Sequence, residues 1–286
     1  MRLKRAWAFL GRSWLVLSTL LAVGALVALL AHIAWEGWRV VGWEFLTDRP
    51  RRGMTQGGIF PAIAGTALVS LLTVAFSLPL GVGAAIYLTE YAPDNRATRA
   101  VRLAIRNLSG VPSIVYGLFG VVLFVDLLGL GTSVLSAGLT LGLLTLPWII
   151  TASEEALRSV PQAYRDGALA LGATRWQAVR TVVLPPALPG ILTGAILGLS
   201  RAAGETAPIL FTGVAFYLPF VPGSLSDQFM ALPYHLYVLS TQHHAIAKVR
   251  PLAYGTALVL VGLVFALNLA AFAVRSRMRR RLEAAR

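Results

Sequence analysis

Six apolar stretches alternate with short polar intervals along the chain, approximately from Trp14 to Trp35, Phe60 to Thr89, Leu108 to Leu128, Ser133 to Thr151, Pro189 to Phe211 and Leu252 to Val274. Each comes near or exceeds the roughly 20 mainly apolar residues that carry a helix across a bilayer. Segments of about ten residues with alternating polarity, the mark of a membrane barrel, are absent, which leaves helices to satisfy the backbone in lipid. The pattern predicts an all-α integral membrane protein with six transmembrane helices. The second stretch is longer than one crossing requires, and Pro79 with Gly81 and Gly83 is expected to kink it.

A polar, arginine-bearing interval, residues 154–186, separates the fourth and fifth stretches. Pro161 suits the first turn of a helix and Gly172 its end. Thr174 with Gln177 forms a capping box that restarts a second helix, expected to run to Leu184 before Pro185 and Pro186 stop it. On the first helix Ala163, Tyr164, Gly167, Ala168, Ala170 and Leu171 share one broad face, while Gln162, Arg165 and Asp166 project elsewhere. Small residues there let another protein come close, so the segment reads as a docking element. The plainer alternative is an amphipathic hairpin lying on the membrane surface.

The fifth stretch carries two full charges, in Ser200-Arg201-Ala202-Ala203-Gly204-Glu205-Thr206-Ala207-Pro208. An Arg at the centre of a span costs about 2.5–3.5 kcal/mol on insertion scales, which makes such a residue a functional candidate by default. On a continuous helix Arg201 and Glu205 lie one turn apart and can pair, and with Gly194 and Gly198 they continue a stripe of small residues. That stripe should face other helices or a central path, with Ser200 and Thr206 flanking the charges. A guanidinium offers a planar fork of donors suited to oxyanions, which Glu205 would hold or compete for. A purely structural ion pair is the alternative.

Composition supports the membrane reading and narrows the chemistry. Hydrophobic residues make up 57% of the chain and charged residues 13%, and the mean hydropathy is +0.71, too apolar for the surface of a soluble domain. The net charge of +13 is spread over short loops, where it serves orientation and contact with anionic lipid, not nucleic acid. Arg2, Lys4, Arg5 and Arg12 precede the first span. Arg96, Arg99, Arg102 and Arg106 lie between the second and third, Arg158, Arg165, Arg175 and Arg180 in the docking segment, and Arg275, Arg277, Arg279, Arg280, Arg281 and Arg286 in the tail. The opposite side holds Arg39, Arg49, Arg51, Arg52, Lys248 and Arg250. This bias puts both termini and the docking segment in the cytoplasm. The first span is long for a signal-peptide core and no small-residue cleavage site follows it, so it is expected to stay as an anchor.

No catalytic or metal-ligating set emerges. The lysines, Lys4 and Lys248, lack the context of a phosphate-cradling loop, and hydrolase and protease motifs are missing. The chain has no cysteine, which removes disulfides and thiolate ligands. His235, His243 and His244 fall in the outer loop, where the adjacent pair reads as loop polarity before it reads as a metal site.

A third constellation, Leu108-Ser-Gly-Val-Pro-Ser-Ile-Val-Tyr-Gly-Leu-Phe-Gly, opens the third stretch, and Pro112 with Gly110 and Gly117 favours a bent or closely packed start. Three sets of residues together carry a resemblance. The docking segment matches the coupling motif of ABC importer permeases (E-A-A, three residues, G, nine residues, I-x-L-P) as Asp166, Gly167, Ala168, Gly172, Val182, Leu184 and Pro185. Asp stands there for Glu, Gly for Ala and Val for Ile. With G-V-P-S-I-V-Y-G-L-F-G and S-R-A-A-G-E-T-A-P-I-L-F-T, the chain resembles the membrane subunits of the phosphate-specific ABC importer from about Phe45 to Arg275. Tyr87-Leu-Thr-Glu-Tyr-Ala-Pro and Met230-Ala-Leu-Pro-Tyr-His are more similar to the A-type subunit than to its C-type partner.

The resemblance implies a six-span type I ABC importer permease fold with a cytoplasmic coupling helix. An anchor helix and outer loop would occupy residues 1–59, the permease domain 60–275 and a basic tail 276–286. It implies ATPase coupling through Tyr164, Asp166, Gly167, Ala168, Gly172 and Trp176, and a translocation path at Arg201, Glu205, Ser200 and Thr206. It implies a second permease, two ATPase subunits that bind ATP and Mg, and a periplasmic or lipid-anchored phosphate-binding protein received partly by the outer loop 212–251. This chain itself would need no cofactor and catalyse nothing. Permeases for molybdate or sulfate, a secondary transporter and a non-transporting scaffold are the rivals. The first would lack the Arg201 to Pro208 signature, the second requires inverted repeats, and the third has no use for charges within a span.

Overall fold

The computed structural model describes residues 2–284, and side-chain surroundings from 11 to 280. Arg2, Lys4, Arg5, Arg281 and Arg286, counted above for topology, have side chains outside that range. The chain is helical almost throughout: α1 (Arg2–Trp38), α2 (Trp43–Thr47), α3 (Phe60–Ile86), α4 (Arg96–Leu108), α5 (Ser113–Gly120), α6 (Val134–Arg158), α7 (Gln162–Ala170), α8 (Arg175–Ala178), α9 (Leu184–Gly204), α10 (Ala207–Thr212), α11 (Leu232–Tyr237) and α12 (Ile246–Ala284). A two-residue antiparallel ribbon pairs β1 (Pro50–Arg51) with β2 (Gln56–Gly57) in the loop before α3.

Among the described residues five helical runs are long and apolar enough to cross a membrane, and a bent pair, α4 followed at 102° by α5 and its extension to Leu127, is a broken span that makes a sixth or a re-entrant loop. The third span therefore starts at Ser113 and not at Leu108, which ends α4. The reason is local. Pro112 has no N–H to continue a helix and disfavours α geometry in the residue before it, and Tyr116 Oη donates back to the Leu108 carbonyl at 2.9 Å across the bend. α3 runs through Pro79 without a break.

Four helices carry a widened π turn among the described residues: Tyr87–Tyr91 after α3, Val121–Leu127 after α5, Val179–Val183 between α8 and α9, and Val238–Gln242 after α11. The third corrects the expectation that Pro185 and Pro186 end the helix begun at Thr174. The widened turn shifts the bonding to i→i+5, so that Leu184 N–H reaches Val179, and the two prolines fall in the first turn of α9, where a missing N–H costs nothing. One crossing results, from Arg175 to Gly204.

α6 is the most buried crossing, packed between α3 and α9, with α12 beyond α9 and α1 on the outside against α12. Small residues set the spacing: Gly138 faces Leu72, Gly142 faces Phe76, and Gly194 faces Ala152, each too close for a side-chain carbon on the glycine. One apolar cluster occupies the end where the loop before α3 and the 213–245 segment fold in, including Phe45, Ile59, Phe229, Met230, Leu232 and Val249. That segment is seated in the bundle: Leu232 N–H donates to Thr66 Oγ1 at 2.8 Å, and the Met230 carbonyl lies 2.1 Å from where a Cβ on Gly65 would stand. A second cluster, with Leu88, Leu157, Val160, Val183 and Ile191, fills the opposite end, beside α7.

Candidate functional site

The sequence-predicted docking residues gather at one end of the bundle. Pro161, extended at ψ 140°, leads into α7. After α7, Ala173 N–H donates to the Ala168 carbonyl at 3.1 Å and Gly172 N–H to Leu169 at 3.0 Å, with Gly172 at φ +84°. This pattern needs a left-handed residue at that position, which glycine adopts without strain. The capping box forms both of its bonds: Gln177 N–H to Thr174 Oγ1 at 3.3 Å and Thr174 N–H to Gln177 Oε1 at 2.8 Å. α7 buries none of its residues. Tyr164, Leu169, Leu171 and Trp176 are exposed, Asp166 and Gly167 are exposed, and Ala168 is half-buried. Gly167 has open space where a Cβ would be. So much apolar surface beside two small residues is the kind of surface that partner proteins cover.

Two arginines that the sequence offered only as orienting charges turn inward instead. Arg165 Nε donates to both Glu90 carboxylate oxygens at 3.0 and 3.2 Å, and Nη2 donates to Oε1 at 2.8 Å. Its other donors reach the carbonyls of Val160 at 2.8 Å and Leu157 at 2.9 Å, at the end of α6. Arg102 of α4 donates to Glu154 Oε1 at 3.0 Å and to the Leu88 carbonyl. Pro93, five residues on from Leu88, has no N–H to give that carbonyl, and the guanidinium supplies one. The signal was present, since Glu90 lies inside the Tyr87 to Pro93 stretch, but nothing in a single sequence joins positions 75 and 52 residues apart.

The charged pair of the fifth stretch sits at a helix break. α9 ends at Gly204, Glu205 is extended at φ −75° and ψ 135°, and α10 begins two residues later. This corrects the single span to Phe211. Pro208 has no N–H for the Gly204 carbonyl and its ring would collide with it. Arg201 and Glu205 still meet, Nε to Oε1, at 3.4 Å, with side chains 39% and 16% exposed. The guanidinium carbon lies 5.5 Å from the centre of the Trp148 ring on α6. Gly194 and Gly198 are buried against α6. Ser200 points elsewhere, its Oγ 2.6 Å from Asn268 Oδ1 on α12, and Thr206 is half-buried at the start of α10. α5 comes up against the break: a Cβ on Gly117 would stand 3.0 Å from Pro208 Cα. Two of the sequence motifs thus meet in space.

The histidines of the 213–245 segment divide. His243 Nε2 bonds the Gly53 carbonyl at 2.8 Å while its Nδ1 accepts from Ala245 N–H at 3.1 Å, which anchors the ring at both nitrogens. His235 is buried with Nδ1 unpartnered, and burial, with the nearby His243, lowers its pKa to about 4.

Five or six apolar crossings, an exposed short helix at one end and a charged break within the bundle define a helical integral membrane protein. The chain belongs to the family described as binding-protein-dependent transport system inner membrane component, which matches residues 77–283. It is 36% identical over 257 residues to "Probable ABC transporter permease protein YqgI" of Bacillus subtilis, covering 86% of this chain and 87% of that one. It is 34% identical over 271 residues to "Phosphate transport system permease protein PstA 1" of Mycobacterium tuberculosis, covering 90% and 86%. Among solved structures, a bacterial alginate ABC transporter in complex with an alginate pentasaccharide-bound periplasmic protein shares the fold, with a TM-score of 0.64 at 15% identity over 96% of this chain and 97% of that one. The fold is that of type I ABC importer permeases, non-catalytic membrane subunits that work with a second permease, separate ATPases and a binding protein.

Proposed function

We propose that this chain is the membrane permease subunit of an ATP-driven importer of inorganic phosphate. The observation that carries the substrate is the likeness, over 90% of the chain, to a protein named as a phosphate permease. The chemistry suits it. Arg201 has several donors and one loosely held carboxylate partner at 3.4 Å, and Glu205 can release the guanidinium to an incoming oxyanion. Irregular backbone at membrane depth is tolerated where it is buried in protein or lines a cavity, which fits a path at residues 204–206. Ser200, bonded to Asn268, supports α9 against α12 in this conformation, and Thr206 borders the break.

In this reading Tyr164, Asp166, Gly167, Ala168, Gly172 and Trp176 receive one of two ATPase subunits, which bind ATP and Mg. Both termini lie in the cytoplasm, a related C-type permease completes the path, and a binding protein delivers phosphate to the 212–251 side. ATP-driven closure of the ATPases would move α7 and the helices joined to it, reorienting the path between two states. The test is ATP-dependent uptake of labelled phosphate into vesicles holding the complete assembly, with sulfate and molybdate as competitors. Uptake blocked by phosphate alone is the expected result. Uptake of sulfate or molybdate in its place would move the assignment to another oxyanion.

A further inference from the structure

α7 is poorly anchored by packing. It is nine residues long and buries none of them, and so short a helix has little stability of its own. Between it and the end of α3 lies a cleft of about 790 Å³, with Glu90 on one wall and Arg165 on the other. What crosses the cleft is the Arg165 guanidinium, bound through both carboxylate oxygens to Glu90 and through two further donors to the carbonyls of Leu157, in the last turn of α6, and Val160, just beyond it. The two side chains are only 12% and 9% exposed. Beside it, Arg102 joins α4 to Glu154 of α6 and to the π turn that carries Glu90, with 18% and 11% exposure. Four elements, the end of α3, α4, the end of α6 and α7, are thus stitched together by two inward-turned arginines.

We propose that Arg165 and Glu90 are positioning residues for coupling: they form the rigid tie through which displacement of α7 is delivered to α3 and α6, and the Arg102–Glu154 pair braces the turn that holds Glu90. The proposal rests on the reading of α7 as the ATPase docking element. A bidentate guanidinium–carboxylate pair has a fixed planar geometry, so it transmits both push and rotation, whereas a single apolar contact would slide. Two discrete helices joined only by the Ser159 to Pro161 link would otherwise let α7 follow the ATPase while the spans stayed behind.

The absence of cysteine makes the test clean. In the full assembly in proteoliposomes, Ala168→Cys in an otherwise unaltered chain is cross-linked to a cysteine on the ATPase, and phosphate imported per ATP hydrolysed is measured with and without Glu90→Gln. Expected is an unchanged cross-link and ATPase rate, with import per ATP falling at least five-fold. An E90C/R165C chain bridged by a short, rigid phenylene bismaleimide should regain most of that ratio, and a long flexible bismaleimide should regain less, a dependence on stiffness that a merely structural loss would not show. Should Glu90→Gln fail to assemble, Arg165→Lys, which keeps the charge and loses the fork, takes its place with the same expectation. Unchanged import per ATP with the cross-link intact overturns the tie. Loss of the cross-link at position 168 in the parent chain overturns the docking reading beneath it.

Discussion

Replacing Arg201 with Gln separates a path residue from a structural one, because the structure bounds what the side chain contributes to stability. Its ion pair with Glu205 is a single approach at 3.4 Å with Arg201 39% exposed, and pairs so exposed are worth about 0–1 kcal/mol. The guanidinium lies 5.5 Å from the Trp148 ring centre, a contact worth about 0.5–1 kcal/mol. The ceiling is therefore about 2 kcal/mol, a shift of a few degrees in Tm for a chain of this size. A charge-assisted hydrogen bond to a phosphate oxygen is worth about 1.5–3 kcal/mol, so its loss lowers uptake by roughly 10- to 100-fold at subsaturating phosphate. Arg201→Lys, with the charge but not the fork, should fall between. The assay pairs thermal unfolding of the purified complex with labelled-phosphate uptake. Normal uptake in a stable Arg201→Gln complex refutes the path role. A collapse of Tm with dissociation of the ATPase would show that the side chain holds the bundle together.

Three further outcomes are expected. Gly65→Ala drives a Cβ to 2.1 Å from the Met230 carbonyl, whereas Gly83→Ala meets nothing within 4 Å; differential scanning should show the first destabilised by about 1–3 kcal/mol and the second neutral or slightly stabilised, and equal behaviour would refute the seating of the 213–245 segment on α3. Gly167→Trp should abolish co-purification of the ATPase while membrane insertion and expression persist, since the glycine has open space and no internal neighbour; retained ATPase counts against docking on α7. His235, with its pKa lowered from 6.5 to about 4 by burial and then by His243, is uncharged when folded and takes up a proton more readily when unfolded. Its neutrality costs nothing above pH 6.5, and stability falls as pH drops from there toward 4, by an amount on the order of 3 kcal/mol across the window. His235→Gln should flatten Tm against pH over that range, and an unchanged slope would sink the argument.

Much of the bundle was legible because its cause is local. Apolar runs of span length and the caps at Gly172, Thr174 and Gln177 act within a turn or two of chain and sit where their chemistry requires, whereas Pro161, expected in the first turn, stands one position before it with an extended ψ. The misplacements share a different cause. Pro185 and Pro186 read as a stop because proline blocks an α turn, but the widened turn at Val179–Val183 is a tertiary accommodation that no local pattern announces. The break at Gly204 was readable from Pro208, four residues on, yet the apolar residues on either side of the charged pair made the stretch look like one span. Glu90 with Arg165 and Arg102 with Glu154 were beyond reach for a plainer reason. Each charge looked complete as a topology signal, and pairing is decided by which helix ends meet.

The widened turn between α8 and α9 also acts as a stored phase. Each residue advances an α-helix by about 100° and 1.5 Å, and a π turn holds one residue more than the α pitch needs. Residues 175–178 belong to the docking end of this crossing and Arg201 to its far end, with Val179–Val183 between them. Deleting a single residue there would let the turn relax to α pitch with little change in the relative direction of the two ends, whereas deleting one from the α stretch beyond it would swing one end against the other by about 100°. The direction in which Arg201 points, as seen from the docking surface, is thus encoded by a count of residues and not by the identity of any one of them.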